Sequence, residues 1–238
     1  RGMVRKLTAE REVEDRMDSS SVGHFTVKYE GGENTVTGYL IGLLLEEAYL
    51  KVGADLGFYP SDKIEALLYT KETFRDVTRS PSWTGAIFDG RIKVPSGGIN
   101  EKSAELEKVI FHEYTHALVH RLGGGRVPVW LNEGIAQYEE GRGTSGQSDL
   151  LKEIAGSNSV NLRVFERSFM GLDAAGARVA YLISLSATEY MIKEYGLSSL
   201  RRIFDGLNGG MTMDSAVSSV LYISYDDLES GWLNSLKR

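Results

Sequence analysis

An α+β fold is predicted for this chain, with strands ahead of residue 95 and helices dominating beyond it, on three observations. Segments 24–30, 63–69 and 83–94 read as strands, the first by plain alternation of polar and apolar residues. Apolar residues then recur at helical spacing from Leu106 to Leu122. From Ala174 onward the helical spacing returns in successive blocks separated by glycine or turn residues.

Taken in order, residues 4–17 are rich in charge with thin apolar periodicity, so 1–22 is expected to be a charged helical leader, the remnant of an upstream region. His24 to Glu30 is the first strand, closed by Gly31-Gly32. His24 should be a surface histidine at the strand end, since nothing near it in sequence completes a site. Thr37 to Leu56 forms a helix that turns Leu40, Leu43, Leu44, Ala48 and Val52 toward a sheet. Lys63 to Tyr69 is a second strand, followed by a short helix near Phe74. Trp83 to Val94 reads as a hairpin about the turn Asp89-Gly90.

Composition narrows the chemistry before any motif is considered. A chain of 238 residues that is 42% hydrophobic can bury a substantial core without staples. With no cysteine, disulfides, thiol nucleophiles and cysteine-ligated zinc are excluded, leaving histidine and carboxylate as metal ligands. A net charge of −6 and the lack of a basic stripe argue against nucleic acid as a partner. No apolar run approaches the roughly 18 residues of a membrane span.

The helix from Leu106 to Leu122 carries His112-Glu113-Tyr114-Thr115-His116. Two histidines one turn apart, about 6 Å along the axis, can reach one ion through bonds of roughly 2.0–2.1 Å. Glu113, rotated about 100° from His112, can reach over the same ion and take a proton from water that the ion activates. Leu106, Ile110, Tyr114, Ala117 and Leu118 fall on the opposite, apolar face. Asn100 or Ser103 can cap the helix start, and Gly123-Gly124-Gly125 stops it. His120 continues the histidine row, but it lies about 12 Å from His112 along the axis, too far to share the ion.

A two-histidine site needs a third protein ligand and an open fourth position to do chemistry. The segment Val127-Pro128-Val129-Trp130-Leu131-Asn132-Glu133-Gly134 offers Glu133, in the first turn of a short helix ending near Gly141. Glu139 and Glu140 are rival third ligands. Gly134 should cost that helix about 1 kcal/mol relative to alanine, which implies that another backbone passes close by, with the metal helix as the expected neighbour. Gln137, one turn beyond Glu133, is either a group that orients a ligand or a plain surface glutamine.

His-Glu-x-x-His followed by Trp130-Leu131-Asn132-Glu133-Gly134 resembles the gluzincin zinc metallopeptidases, and most nearly the bacterial peptidase MA-like domains. The likeness extends over roughly Phe25 to Trp232. It implies Zn²⁺ held by His112, His116 and Glu133, with Glu113 as general base. It also implies a zincin-like amino-terminal lobe, a mixed sheet with metal-binding helices over residues 23–141, and a helical carboxy-terminal lobe over 142–238. Members of this group can follow tetratricopeptide repeats, which the leader would then join. In such enzymes an edge strand pairs with extended substrate, which would put peptide beside the 83–94 segment; an ordinary core hairpin is the alternative.

Gly141 to Gly146 is a loop, either a lid or a linker. Beyond it, helices are expected over Ala174–Tyr195, Leu197–Leu207, Met213–Val220 and Tyr225–Leu236. Gluzincins draw an oxyanion donor from this lobe, and Tyr181 is the candidate, a buried core tyrosine being the other reading. These features point to a zinc metallopeptidase acting on peptide or protein substrates. The Gly-x-Met-Glu-Asn element of the aminopeptidases with this motif is missing, so endopeptidase is favoured. The alternative is a catalytically silent zinc-binding or scaffold module of the bacterial cell envelope.

Overall fold

Four strands and a set of helices carry the chain in the computed structural model, which describes residues 17–31, 34–69, 91–95, 101–157 and 160–237. The fold is α+β. The strands are β1 (Asp18–Val22), β2 (Phe25–Tyr29), β3 (Ile64–Tyr69) and β4 (Ile92–Pro95). The helices are α1 (Thr35–Leu56), α2 (Ala104–Gly123), α3 (Val129–Glu139), α4 (Ser148–Gly156), α5 (Ala174–Tyr195), α6 (Leu197–Asn208), α7 (Met213–Leu221) and α8 (Tyr225–Leu236). Two short 3₁₀ turns, Leu162–Glu166 and Phe169–Gly171, precede α5. Among the described residues no helix is long and apolar enough to cross a membrane.

The chain divides into two compact units, one running through Lys51 and from Tyr59 to Ala117, the other made of Val52–Phe58 and everything from Leu118 on. In the first, the sheet order is β1-β2-β3-β4. β1 pairs antiparallel with β2, whereas β2 with β3 and β3 with β4 are parallel. Parallel pairing of β2 and β3 requires a crossover, and α1 supplies it. Two glycines let α1 lie close to the sheet: a Cβ on Gly38 would sit 2.5 Å from the Tyr29 ring, and one on Gly42 2.6 Å from Val22. Its buried face is Ile41, Leu44, Leu45, Ala48 and Val52; Leu43, expected there, is 41% exposed, because the face is turned toward Ile41 and Leu45 instead. β3 is buried along nearly its whole length, and Met17 packs against Leu67 and Tyr69.

The leader expectation needs correction. Asp18–Val22 is a strand rather than the end of a helix, and residues 1–16 lie outside the described residues. Its sequence has little apolar alternation; backbone pairing to β2 and a bond between Ser20 Oγ and Tyr29 OH, 2.9 Å, hold it in place. The short helix near Phe74 and the first arm of the 83–94 hairpin also lie outside the described residues. What is described of the second arm, β4, joins β3 in parallel.

Among the described residues the second unit is helical apart from its turns. Its helix starts are fixed locally: Asp173 accepts from Gly176 N, Thr212 from Ser215 N, and Ser224 with Asp227 forms a reciprocal capping box. α5 to α8 begin at or beside their expected positions, and α5 and α8 match at both ends. α4 falls where no helix is expected from the sequence; its buried side, Leu151, Ile154 and Ala155, spans little more than one turn, too short a run to stand out. It packs against α8.

Candidate metal centre

α2 begins where Ser103 Oγ accepts the Leu106 N–H at 3.1 Å, with Glu105 and Glu107 in its first turn and His120 and Arg121 in its last. Both charge placements complement the helix dipole. The helix ends through Gly124 and Gly125, at φ 59° and 70°, with Gly125 N bonded to His120 O. Leu106, Ile110, Tyr114, Ala117 and Leu118 are all buried, as the apolar stripe requires. Tyr114 in particular packs edge-on to Phe25, centroids 5.8 Å apart, and against Tyr49 at 6.3 Å. That anchor sets the rotation of α2 about its own axis and so the direction of the histidine face.

On that face the Nε2 atoms of His112 and His116 stand 3.0 Å apart, their rings nearly perpendicular. Two ligands on one tetrahedral ion, with bonds of 2.0–2.1 Å, lie about 3.4 Å apart, so the imidazole pair is close to chelating separation. Glu133 joins them: one ligand atom from each of the three residues lies within 4.8 Å of the others. His116 and Glu133 are buried and His112 is partly so. Two neutral imidazoles and a carboxylate fit a divalent ion of borderline hardness, with a position left for water or substrate. Among the described residues this is the one such group. Glu139 and Glu140 are outside it, and Glu140 instead pairs with Arg142 at 2.6 Å. His120 is exposed, and His24 stacks on Tyr49 at 3.9 Å while its Nδ1 meets Glu46 at 3.0 Å.

α3 starts at Pro128, whose carbonyl accepts from Leu131 and Asn132. Glu133 is the fifth residue of the helix, one position into its second turn rather than in the first. Gly134 does mark a close backbone, but the neighbour is α5 and not the metal helix. A Cβ there would overlap Thr188 Oγ1 and the Ser184 carbonyl oxygen and lie 2.9 Å from the Ser184 carbonyl carbon. Gln137 is buried, which removes the surface-glutamine reading. Its Nε2 donates to Tyr181 O at 3.0 Å and to Glu133 O at 3.3 Å. The Tyr181 ring meets Phe169 edge-on, centroids 5.6 Å apart, and the residue is half-buried.

A family model for the peptidase MA superfamily matches residues 45–238. The chain belongs to that superfamily. The match begins within α1 rather than at Phe25 and includes His112, Glu113, His116 and Glu133. As a peptidase MA chain of gluzincin type it is a peptidase, a hydrolase of peptide substrates, in a superfamily that is generally metal-dependent. A search of the curated proteins returns no match.

Sequence reasoning missed the support behind α3. Trp130 Nε1 donates to Tyr225 OH at 2.9 Å, and the Glu166 carboxylate lies near that hydroxyl. Burial, followed by the nearby Glu166 charge, pushes the Tyr225 phenol well above its ordinary value. Arg163 lies over the Tyr225 ring, 4.6 Å from its centroid, and pairs with Asp214 and Asp226 at 2.5 Å each. No local signal links Trp130 to a tyrosine so distant in sequence. A buried Trp N–H needs an acceptor, and that need was the one available hint.

Proposed function

We propose that this peptidase MA chain is a zinc-dependent metallopeptidase, with endopeptidase action favoured by the missing amine-gripping element. The observation that carries the reading is the gathering of His112, His116 and Glu133 in a chain of this superfamily, with Glu113 following His112 in the sequence. The three residues would hold the ion, and a bound Zn²⁺ supplies Lewis acidity to the water and the scissile carbonyl. Glu113 accepts a proton from the attacking water and passes it to the leaving amine. Tyr181 donates a hydrogen bond to the carbonyl oxygen as charge develops on it. The reading takes residues 23–141 as a zincin-like lobe and 142–238 as a helical lobe, a division by role that differs from the two compact units, which part between Ala117 and Leu118.

Glu113→Gln tests the chemistry, since it keeps shape and leaves the three ligands untouched but cannot accept a proton at neutral pH. Wild type incubated with an unfolded protein or a peptide library, read by mass spectrometry, should cleave internally and fall silent with a zinc chelator. Glu113→Gln should bind zinc and cleave nothing. Cleavage persisting in Glu113→Gln would remove Glu113 from the role, and zinc-loaded wild type that leaves a broad library intact would favour the scaffold module.

A further inference from the structure

α3 and α5 meet along a seam with three points in register. Gln137 donates to Tyr181 O, Gly134 leaves no room for a side chain against the Ser184 carbonyl, and Thr188 closes over the same glycine. On α5 these partners are Tyr181, Ser184 and Thr188, spaced three and then four residues, so they form one helix face. Gln137 is a polar tie whose two ends fall on residues with a proposed part in the reaction. Its amide donates to the main chain of Glu133 and to the main chain of Tyr181, at 3.3 and 3.0 Å. The Tyr181 ring is held separately by buried Phe169. Tyr181 is thus fixed at two points, its backbone by Gln137 and its ring by Phe169.

We infer that Gln137 is a positioning residue: its amide sets the rotation and spacing of α3 against α5, and with them the placement of the Glu133 carboxylate relative to Tyr181. The inference rests on the reading of Glu133 as third ligand and Tyr181 as oxyanion donor. The primary amide suits the task because its NH₂ has two protons for two carbonyl acceptors. A glutamate at 137 would turn an acceptor toward both carbonyls, and a methionine would keep the length and lose the donors.

The test uses the full chain with Gln137→Met and Gln137→Glu. Zinc affinity is read by chelator competition, thermal midpoint in parallel, and kcat and KM on a peptide that wild type cleaves. Gln137→Met should bind zinc roughly 10- to 100-fold more weakly and lose kcat by a similar factor, with KM little changed. In a Tyr181→Phe background the further loss of kcat should largely vanish, because the effect passes through Tyr181. A lowered thermal midpoint with wild-type zinc affinity and kcat would reduce Gln137 to a structural clamp and overturn the inference. So would losses that simply add.

If neither variant folds, NMR of the wild type decides. The Gln137 side-chain amide protons should exchange slowly and shift when zinc is added, and fast exchange or resonances indifferent to zinc would refute the role. Should wild type cleave no peptide, the metallopeptidase reading fails by itself, and zinc affinity and NMR still decide on Gln137. Should wild type cleave and Gln137→Met match it in every readout, the positioning role fails and the metallopeptidase reading stands.

Discussion

Gly134→Ala should destabilise the protein although it places a better helix former in the middle of a helix. Propensity alone would stabilise α3 by about 1 kcal/mol. Against that, the new Cβ would overlap Thr188 Oγ1 and Ser184 O and stand 2.9 Å from the Ser184 carbonyl carbon. Carbon atoms in contact sit about 3.5–4.0 Å apart, so α3 and α5 would have to part by about 1 Å. Rotating Thr188 relieves its hydroxyl but not the Ser184 carbonyl, which is backbone. Overpacking of this kind costs about 1–3 kcal/mol, and parting the helices also stretches the 3.0 Å Gln137–Tyr181 bond, a further loss of about 1 kcal/mol. The net expectation is a loss of about 1–3 kcal/mol. Urea denaturation with a chelator present, so that metal binding does not contribute, is the assay, and the midpoint should fall at constant m. Gly156→Ala is the control: nothing lies within 4 Å of a Cβ there, and it should be neutral or stabilising by up to about 1 kcal/mol. A Gly134→Ala chain as stable as wild type would refute the close-packing argument.

His116→Ala and Glu133→Ala should each lower zinc stoichiometry from one per chain, measured by elemental analysis after reconstitution; unchanged zinc in both would dissolve the ligand assignment. Tyr181→Phe should keep its zinc while kcat drops by roughly 10²–10³, and an unaltered kcat would return Tyr181 to the core. Tyr225→Phe removes the acceptor for Trp130 and leaves a buried N–H unpaired, so denaturation should show a loss of about 1–3 kcal/mol. Because burial raises the folded-state value of Tyr225, the stability it contributes is fully present below the unfolded tyrosine value of about 10 and is lost as pH rises above it. Tyr225→Phe should therefore lose less stability between pH 9 and 11 than wild type does, and parallel losses would contradict the buried-phenol account.

Residues within a few positions of one another determined much of this protein from the sequence alone. α5 and α8 match expectation end to end because their limits are local events, the Asp173 and Ser224 caps and the stop at Gly196, φ 78°. The facing of His112 and His116 is likewise a property of one helix, since spacing of one turn puts both side chains on one face, where their Nε2 atoms stand 3.0 Å apart. Tertiary structure decided the rest. β1 exists because β2 offers it a backbone, its own serines giving almost no pattern. That Gly134 answers to α5, that Gln137 is buried against Tyr181, and that Trp130 finds Tyr225 are contacts across 44 or more residues of chain. Periodicity and capping show which face of a helix is apolar and where the helix stops. They carry no record of which other helix fills that face, because the choice among apolar partners is made by the packing of the whole unit and not by any one segment.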